Sequence, residues 1–342
     1  MSLRQHVQQI LFDALTRHLP RRASDFLKIC RMQALHPFLI IVGSPHAFFP
    51  FLNAPDRETL LDALRSGLDA RSRQTLDLFM KRLAVFPPDA ESYAFMSVSD
   101  GFLPRHQREA IRRWEAAFPE FKRQYRYPST LMAPETFLEH QGLPLLPPRC
   151  LPYMARRDFL DLGAFIGDSV LILMNYEPKK IYAFDASPMN GRRFQHTMRR
   201  NHIPADRVEF VSMGVADQSG TVSFNDQGTV ATTLAAGGTT QVKITTVDTF
   251  AEARHLQVGL IKMDIEGMGL QAVRGMVATL KRDRPVLSLA VYHCPDELLL
   301  IKPFIESLGL GYRFMLRDLS PRCWFMETRL LAYPGELADA ST

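Results

Sequence analysis

The sequence predicts an α/β fold with a doubly wound, mostly parallel sheet ending in an antiparallel edge hairpin, preceded by a mostly helical region. Three observations carry this expectation. From Asp158 onward, short apolar runs alternate with helical patterns in regular order, as strands and crossover helices do. The first run, Phe159-Leu160-Asp161, leads through a turn containing Gly163 and Gly167 into an apolar helix, and the next strand is followed at once by Asp185. That is the layout of a nucleoside-binding βαβ unit. Two extended runs close the chain, residues 312–316 and 329–333, and read as an antiparallel pair at the sheet edge.

Taken in order, helical spacing recurs at residues 3–18, 57–68, 70–83 and 104–117, and only residues 38–43 look like a strand. Residues 1–150 therefore read as a mostly helical accessory or cap region, and residues 151–342 as the Rossmann-like domain. Prolines 128, 134, 144, 147 and 148 punctuate the passage between them. The turn at Val42-Gly43-Ser44 is not a second phosphate loop, because prolines and aromatics follow it. In the α/β part, strands are expected at residues 159–161, 181–184, 208–213, 260–264 and 286–292, with helices at 170–174, 189–201 and 295–307. One further helix is expected to run from Gly267 through Leu280. Residues 222–224 and 242–247 read as additional or edge strands joined by a Gly- and Thr-rich segment, 228–240.

Composition narrows the class. A net charge of +5 on 342 residues is mild, and its short clusters, such as Arg21-Arg22 and Arg199-Arg200, read as solvated helix faces. No nucleic-acid partner is expected. The longest apolar stretch, residues 38–52, is interrupted by Gly43, Pro45, His46 and Pro50, so no membrane span is expected. Val7, Ile10, Leu11, Ala14 and Leu15 give the N-terminus an amphipathic helical spacing unlike a signal peptide, which points to a cytoplasmic protein. Cys30, Cys150, Cys294 and Cys323 show neither C-x-x-C pairing nor metal spacing, which fits reduced thiols.

Spacing in the glycine turn selects the ligand. A dinucleotide site packs three glycines so that a pyrophosphate can approach the helix N-terminus. Here Phe165 replaces the middle glycine, and Asp168 would repel a phosphate. No Gly-Lys-Ser/Thr triplet follows, so a P-loop is excluded as well. The pattern D-x-G-x-x-x-G-D suits a phosphate-free ligand with a cationic amino-acid end, and S-adenosylmethionine is such a ligand. Asp185 can accept hydrogen bonds from both ribose hydroxyls, with a helix N-cap before Pro188 as its plain alternative.

The motifs DLGAFIGDS (161–169), AFDASP (183–188), TTVDTF (245–250) and IKMDIEG (261–267), in this order and spacing, resemble the FkbM-type family of S-adenosylmethionine-dependent methyltransferases. The resemblance covers residues 134–334 or so and extends to a bacterial branch through VYHCPDELLLIKPFI, YRFMLRD and ETRLLAY. It implies a class I methyltransferase fold, S-adenosylmethionine as cofactor and S-adenosylhomocysteine as product. Two departures stand out. Asp185-Ala186 replaces the family's usual Glu-Pro, and Met268-Gly269 stands where a second acid usually follows Glu-Gly.

By position, Asp161, Gly163, Ala164, Phe165, Gly167 and Asp168 border the methionine end of the cofactor, and Asp185 with Ala186 holds the ribose. Met213 and Gly214 fall beside the adenine, although core packing would equally account for Met213. Asp217 either reaches the adenine amine or serves a turn. Catalysis belongs at the carboxyl ends of the parallel strands, where Lys262, Asp264 and Glu266 alternate. Lys262 is expected to be neutralised by an adjacent carboxylate, Asp264 to orient the acceptor or the methionine amine, and Glu266 to act there or to cap the next helix. His293, ending the fifth strand, is a candidate base for a hydroxyl proton or a helix cap. The remaining histidines have no ligand spacing, so no metal site is expected. The resulting expectation is in-line O-methylation of a hydroxylated small molecule or sugar, with the N-terminal helices as the surface for self-association. Two alternatives stay open: an inactive methyltransferase-like scaffold and a nicotinamide-dependent oxidoreductase.

Overall fold

The computed structural model describes residues 39–42, 45–86, 94–97, 102–224 and 240–338. The helix expected at residues 3–18 and nearly all of the 228–240 segment lie outside them. The centre of the molecule is a seven-stranded sheet. Its strands are β3 (Asp158–Leu162), β4 (Ile181–Phe184), β5 (Val208–Val211), β9 (Val258–Met263), β10 (Val286–Ala290), β11 (Tyr312–Asp318) and β13 (Thr328–Pro334). They lie in the order β11-β13-β10-β9-β3-β4-β5. All neighbours from β5 to β10 run parallel, and β13 is antiparallel to both β10 and β11.

Period-two alternation explains why these apolar runs became strands buried on both faces. Leu160, Leu162, Phe184, Ile261, Met263, Leu287 and Leu289 point into one hydrophobic core. Phe159, Ile181, Ala183, Leu260, Val286 and Leu331 point into the other. Each fully buried large side chain contributes about 1.5–3 kcal/mol, so a one-residue slip of register would forfeit most of both cores.

The helices supply the covering layers. On one face lie Asp168–Leu173 and Pro188–Arg200, which contribute Val170, Leu171, Ile172, Phe194 and Met198 to their core. On the other lie Val247–Ala253, Gly269–Arg274, Val277–Asp283 and Pro295–Ser307. Ser187 caps the helix Pro188–Arg200 by accepting from the N–H of Asn190, and Thr246 caps Val247–Ala253 in the same way. The N-terminal helices Arg57–Arg65 and Ala70–Val85 join that second core through Leu61, Leu64, Leu76, Phe79 and Leu83. They are tied to the edge strand β11 by ion pairs of its buried or partly buried side chains. Arg317 pairs with Asp69 at 2.8 Å and Arg82 with Asp318 at 3.2 Å.

Several expectations are corrected. The third strand ends at Val211, two residues earlier than Met213. Gly214–Val215, Thr240–Thr245 and Gly220–Phe224 do not extend the main sheet; they form a separate three-stranded one, in the order β6-β8-β7. The helix expected to continue from Gly267 to Leu280 is broken at Gly275-Met276. The break falls at a close approach to a distant segment: a Cβ on Gly275 would lie 2.2 Å from the carbonyl oxygen of Ala216, so only glycine fits there. The expected antiparallel pair closes the sheet, with β11 outermost and β13 between it and β10. A second small sheet pairs β1 (Leu39–Val42) with β12 (Cys323–Trp324) on one side and β2 (Ala94–Ser97) on the other.

Candidate active site

The carboxyl ends of β3, β4 and β9 open into a cavity of about 350 Å³. Its floor is the glycine turn after β3, represented by Gly163, Phe165 and Asp168. Gly163 has φ +83°, and a Cβ there would stand 1.7 Å from the carbonyl oxygen of Asp264, so only glycine lets the two strand-end loops meet. Gly167 has φ +94° and begins the helix Asp168–Leu173 against Met198. Phe165, Glu266 and Glu327 line the same cavity, and all three have positive φ (45°, 50° and 56°). Backbone strain of this kind gathers where a site fixes its side chains.

Asp161 does not face the cavity. It is fully buried, accepts from the hydroxyl of Ser169 at 2.6 Å and pairs with Lys262 at 3.0 Å. Parallel register puts Asp161 opposite Lys262 on β9, and the lysine also donates to the carbonyl of Gly163 at 2.8 Å. The expected neutralisation of Lys262 therefore comes from the adjacent strand, and the pair fixes the turn from below. Ala164 is buried behind that turn.

Asp185 is turned into the cavity beside Ala186. Its carboxylate accepts from the N–H of Ser187 at 2.8 Å and from the Asn190 amide at 3.2 Å. Burial nevertheless pushes its pKa up to about 6. The helix cap is Ser187, not Asp185. Met213, Gly214, Val215, Val242 and Ile244 form an apolar wall next to it. Asp217 is exposed and outside the lining: the chain turns away after Val215 pairs with β8.

At the other end, Asp264 and Glu266 line the cavity with Tyr292, Glu327 and Arg329. Arg329 is 1% exposed and donates to Asp264 at 2.8 Å and to Glu327 at 3.2 Å. Burial opposes a charge on Asp264, but Arg329 and His293 hold its pKa well below the usual carboxylate range. Burial pushes Glu266 up to about 7. His293 sits behind this pair, with Nε2 at 3.2 Å from Asp264 and 3.8 Å from Glu266, and Nδ1 at 2.8 Å from Glu297. Burial disfavours its charge, yet the flanking carboxylates raise its pKa well above the ordinary histidine value. His293 does not cap the following helix, whose N-cap is Cys294. Glu266 does not cap its helix either; the N–H of Gly269 goes to Glu297 at 2.8 Å.

The cavity also takes residues that sequence reasoning passed over. Tyr127, Glu135, Thr136 and Gln141 close it from the side opposite the sheet ends. Glu135 is buried, and burial together with the charge of Glu327 raises its pKa well above the usual range. The Glu135 Oε2, Gln141 Oε1, Asn190 Oδ1 and Tyr127 hydroxyl atoms are buried without a hydrogen-bond partner. Such atoms are costly unless a ligand satisfies them. Together with carboxylate Asp185 and the apolar wall, they fit an adenosyl amino acid, whose ribose, amino and carboxylate groups bring the matching donors and acceptors.

Comparison with known proteins follows the same line. Among solved structures, the chain is similar to the methyltransferase FkbM from Methylobacillus flagellatus KT, with 19% identity and a TM-score of 0.47 over 77% of this chain; it spans 60% of that protein's length. It is also similar to an O-methyltransferase from Bacillus cereus in complex with SAH (13% identity, TM-score 0.38, covering 66% of this chain and 90% of that one). A third is a putative methyltransferase from Streptococcus mutans in complex with SAH (12%, 0.36, covering 56% and 96%). No curated protein matches the sequence. Residues 161–314, which supply the glycine turn, Asp185 and the Asp264 loop, match the family described as methyltransferase FkbM domain.

Proposed function

We propose that the protein transfers a methyl group from S-adenosylmethionine to a hydroxyl of a small molecule or sugar, releasing S-adenosylhomocysteine. One observation supports this above the others. A single cavity joins the glycine turn and the half-buried Asp185 at one end to the Asp264 cluster at the other. In this reading Asp185 and Asn190 hold the ribose, the wall of Met213, Val242 and Ile244 holds the adenine, and Asp168 with Glu135 faces the amino-acid end.

When bound, the cofactor supplies an electrophilic methyl on a sulfonium, a leaving group that needs no further activation. What remains for the chain is to align the acceptor, exclude water and receive a proton. Leu131, Met268 and Met326 give the acceptor end an apolar rim. Tyr292 and Arg329 hold Asp264 in place at 3.4 and 2.8 Å. The acceptor hydroxyl is directed at Asp264 and Glu266, and its proton leaves toward the cluster they form with His293.

The test is parallel calorimetric titration with S-adenosylmethionine, S-adenosylhomocysteine and NAD. The first two are expected to bind and NAD is not, and Asp185→Ala is expected to abolish the binding. NAD binding would transfer the site to hydride chemistry; no binding of any of the three would leave the scaffold reading in the lead.

A further inference from the structure

Three donor groups that are remote in sequence meet at the acceptor end of the cavity. Asp264 and Glu266 come from the loop after β9, and His293 from the loop after β10. One donor atom of each lies within 4.8 Å of the others. Around a first-row divalent cation at ligand distances of about 2.0–2.2 Å, neighbouring donors stand roughly 3.0–3.5 Å apart. The distances from His293 Nε2, 3.2 Å to Asp264 and 3.8 Å to Glu266, are close to that spacing.

The surroundings are those of a built site. His293 is 10% exposed, and its Nε2 is buried without a well-directed hydrogen bond while aimed between the two carboxylates. Its other nitrogen is held by Glu297 at 2.8 Å, and Glu297 is itself 1% exposed. The second oxygen of Glu297 accepts the N–H of Gly269 at 2.8 Å, so the carboxylate cannot swing away. A buried carboxylate that accepts from Nδ1–H favours the tautomer with a lone pair on Nε2, the arrangement found behind metal-bound histidines. Arg329 occupies only Oδ2 of Asp264, at 2.8 Å, and leaves Oδ1 facing the histidine. The left-handed backbone of Glu266, φ 50°, beside Gly267, φ 90°, turns its side chain toward the same point.

We propose that Asp264, Glu266 and His293 form a binding site for one divalent metal ion at the acceptor end of the cavity. One imidazole and two carboxylates suit Mn²⁺ or Zn²⁺, and the side open to the cavity leaves positions for water or an acceptor oxygen. The proposal deepens the methyl-transfer reading, on which the purpose of the ion rests. With the ion bound, an acceptor hydroxyl on it would lose its proton more readily, and to solvent water in place of the cluster that then holds the ion. The acceptor oxygen's lone pair then forms the new bond to the methyl carbon, as the carbon–sulfur bond breaks and leaves its electron pair on sulfur as a neutral thioether.

The experiment is titration of the metal-stripped full-length protein with Mn²⁺, followed by electron paramagnetic resonance, and with Zn²⁺ by competition. One saturable ion per chain is expected. Glu266→Gln and His293→Gln should each weaken it at least about tenfold, and Glu297→Gln, which removes no ligand, by about 10- to 100-fold. Glu266 is 32% exposed, so its replacement tests the site even if His293→Gln fails to fold. Absence of saturable binding in the wild type, or equal binding in Glu266→Gln and His293→Gln, overturns the site and leaves a charged histidine between carboxylates. S-adenosylhomocysteine calorimetry on the same samples separates the two claims. Mn²⁺ binding without nucleoside binding sinks the methyl-transfer reading alone, and the reverse sinks the metal site alone.

Discussion

Asp185 carries the most direct test at the level of a single residue. Its pKa in the folded chain is about 6 against an ordinary 3.8, because burial penalises the carboxylate more than its hydrogen bonds favour it. A raised folded-state value means that the folded chain holds the proton more tightly than the unfolded one. The stability this contributes is complete below about 3.8 and is lost as pH rises through about 6. The ionised form can accept from both ribose hydroxyls with the strength of a charge, whereas the protonated form keeps only its carbonyl oxygen as a good acceptor, so S-adenosylhomocysteine affinity is expected to rise with pH and level off above about 6. Below that, it should fall by up to about tenfold per pH unit. Calorimetry across pH 5–8 checks this, with Asp185→Asn expected to bind weakly and with a flatter profile; a wild-type affinity constant over that range would remove Asp185 from the site. This residue was legible in the sequence because its place is set by chain position, directly after the second strand. Glu135 and Glu327 were not, since each is an acid in an ordinary polar context, and only folding places them across one cavity.

Among the elements, β13 is the one whose position changes the chemistry. Sequence patterning identified it and its antiparallel partner at the sheet edge, and left open which of the two lies inside. Lying between β10 and β11, the strand carries Arg329 into the interior at 1% exposure, where Asp264, Glu327 and the carbonyl of Met263 receive its guanidinium. Removing one partner of a buried charge cluster leaves the others uncompensated, which costs about 3–5 kcal/mol. Arg329→Met is therefore expected to lower unfolding free energy by roughly that amount in urea, and Arg329→Met/Glu327→Gln to regain part of it. Equal stability of the single variant and wild type would show that the cluster is solvated. The helix break at Gly275 and the separate sheet of Gly214–Val215, Gly220–Phe224 and Thr240–Thr245 escaped the sequence for a related reason. Both depend on a close approach between chain segments far apart in sequence, which neither periodicity nor propensity records.

At the scale of the whole molecule, the cavity is closed by chain that lies outside the matched family segment. Tyr127, Glu135 and Gln141 precede residue 161, and Glu327 and Arg329 follow residue 314. The expectation of a helical region before the sheet came from repeated helical spacing. The same reading expected this region as a cap; which residues close the site was not readable, because the closing segment is a series of short turns, Ser129–Leu131, Pro134–Phe137 and His140–Leu145, without amphipathic length. Its contacts to the helix Asp168–Leu173 include Thr136 to Asp168 at 3.3 Å, and Gln141 supports Thr136 at 2.8 Å. A ligand that satisfies the orphaned atoms of Tyr127, Glu135 and Gln141 would bind these turns to the sheet ends and suppress their local opening. Saturating S-adenosylhomocysteine is thus expected to slow amide hydrogen exchange at residues 129–145 together with 163–168 and 185–190. The helices Arg57–Arg65 and Ala70–Val85 pack on the opposite core and should be unchanged. Protection confined to 163–190 would show that the turns stand beside the cofactor without holding it, and would leave Glu135 to the acceptor alone.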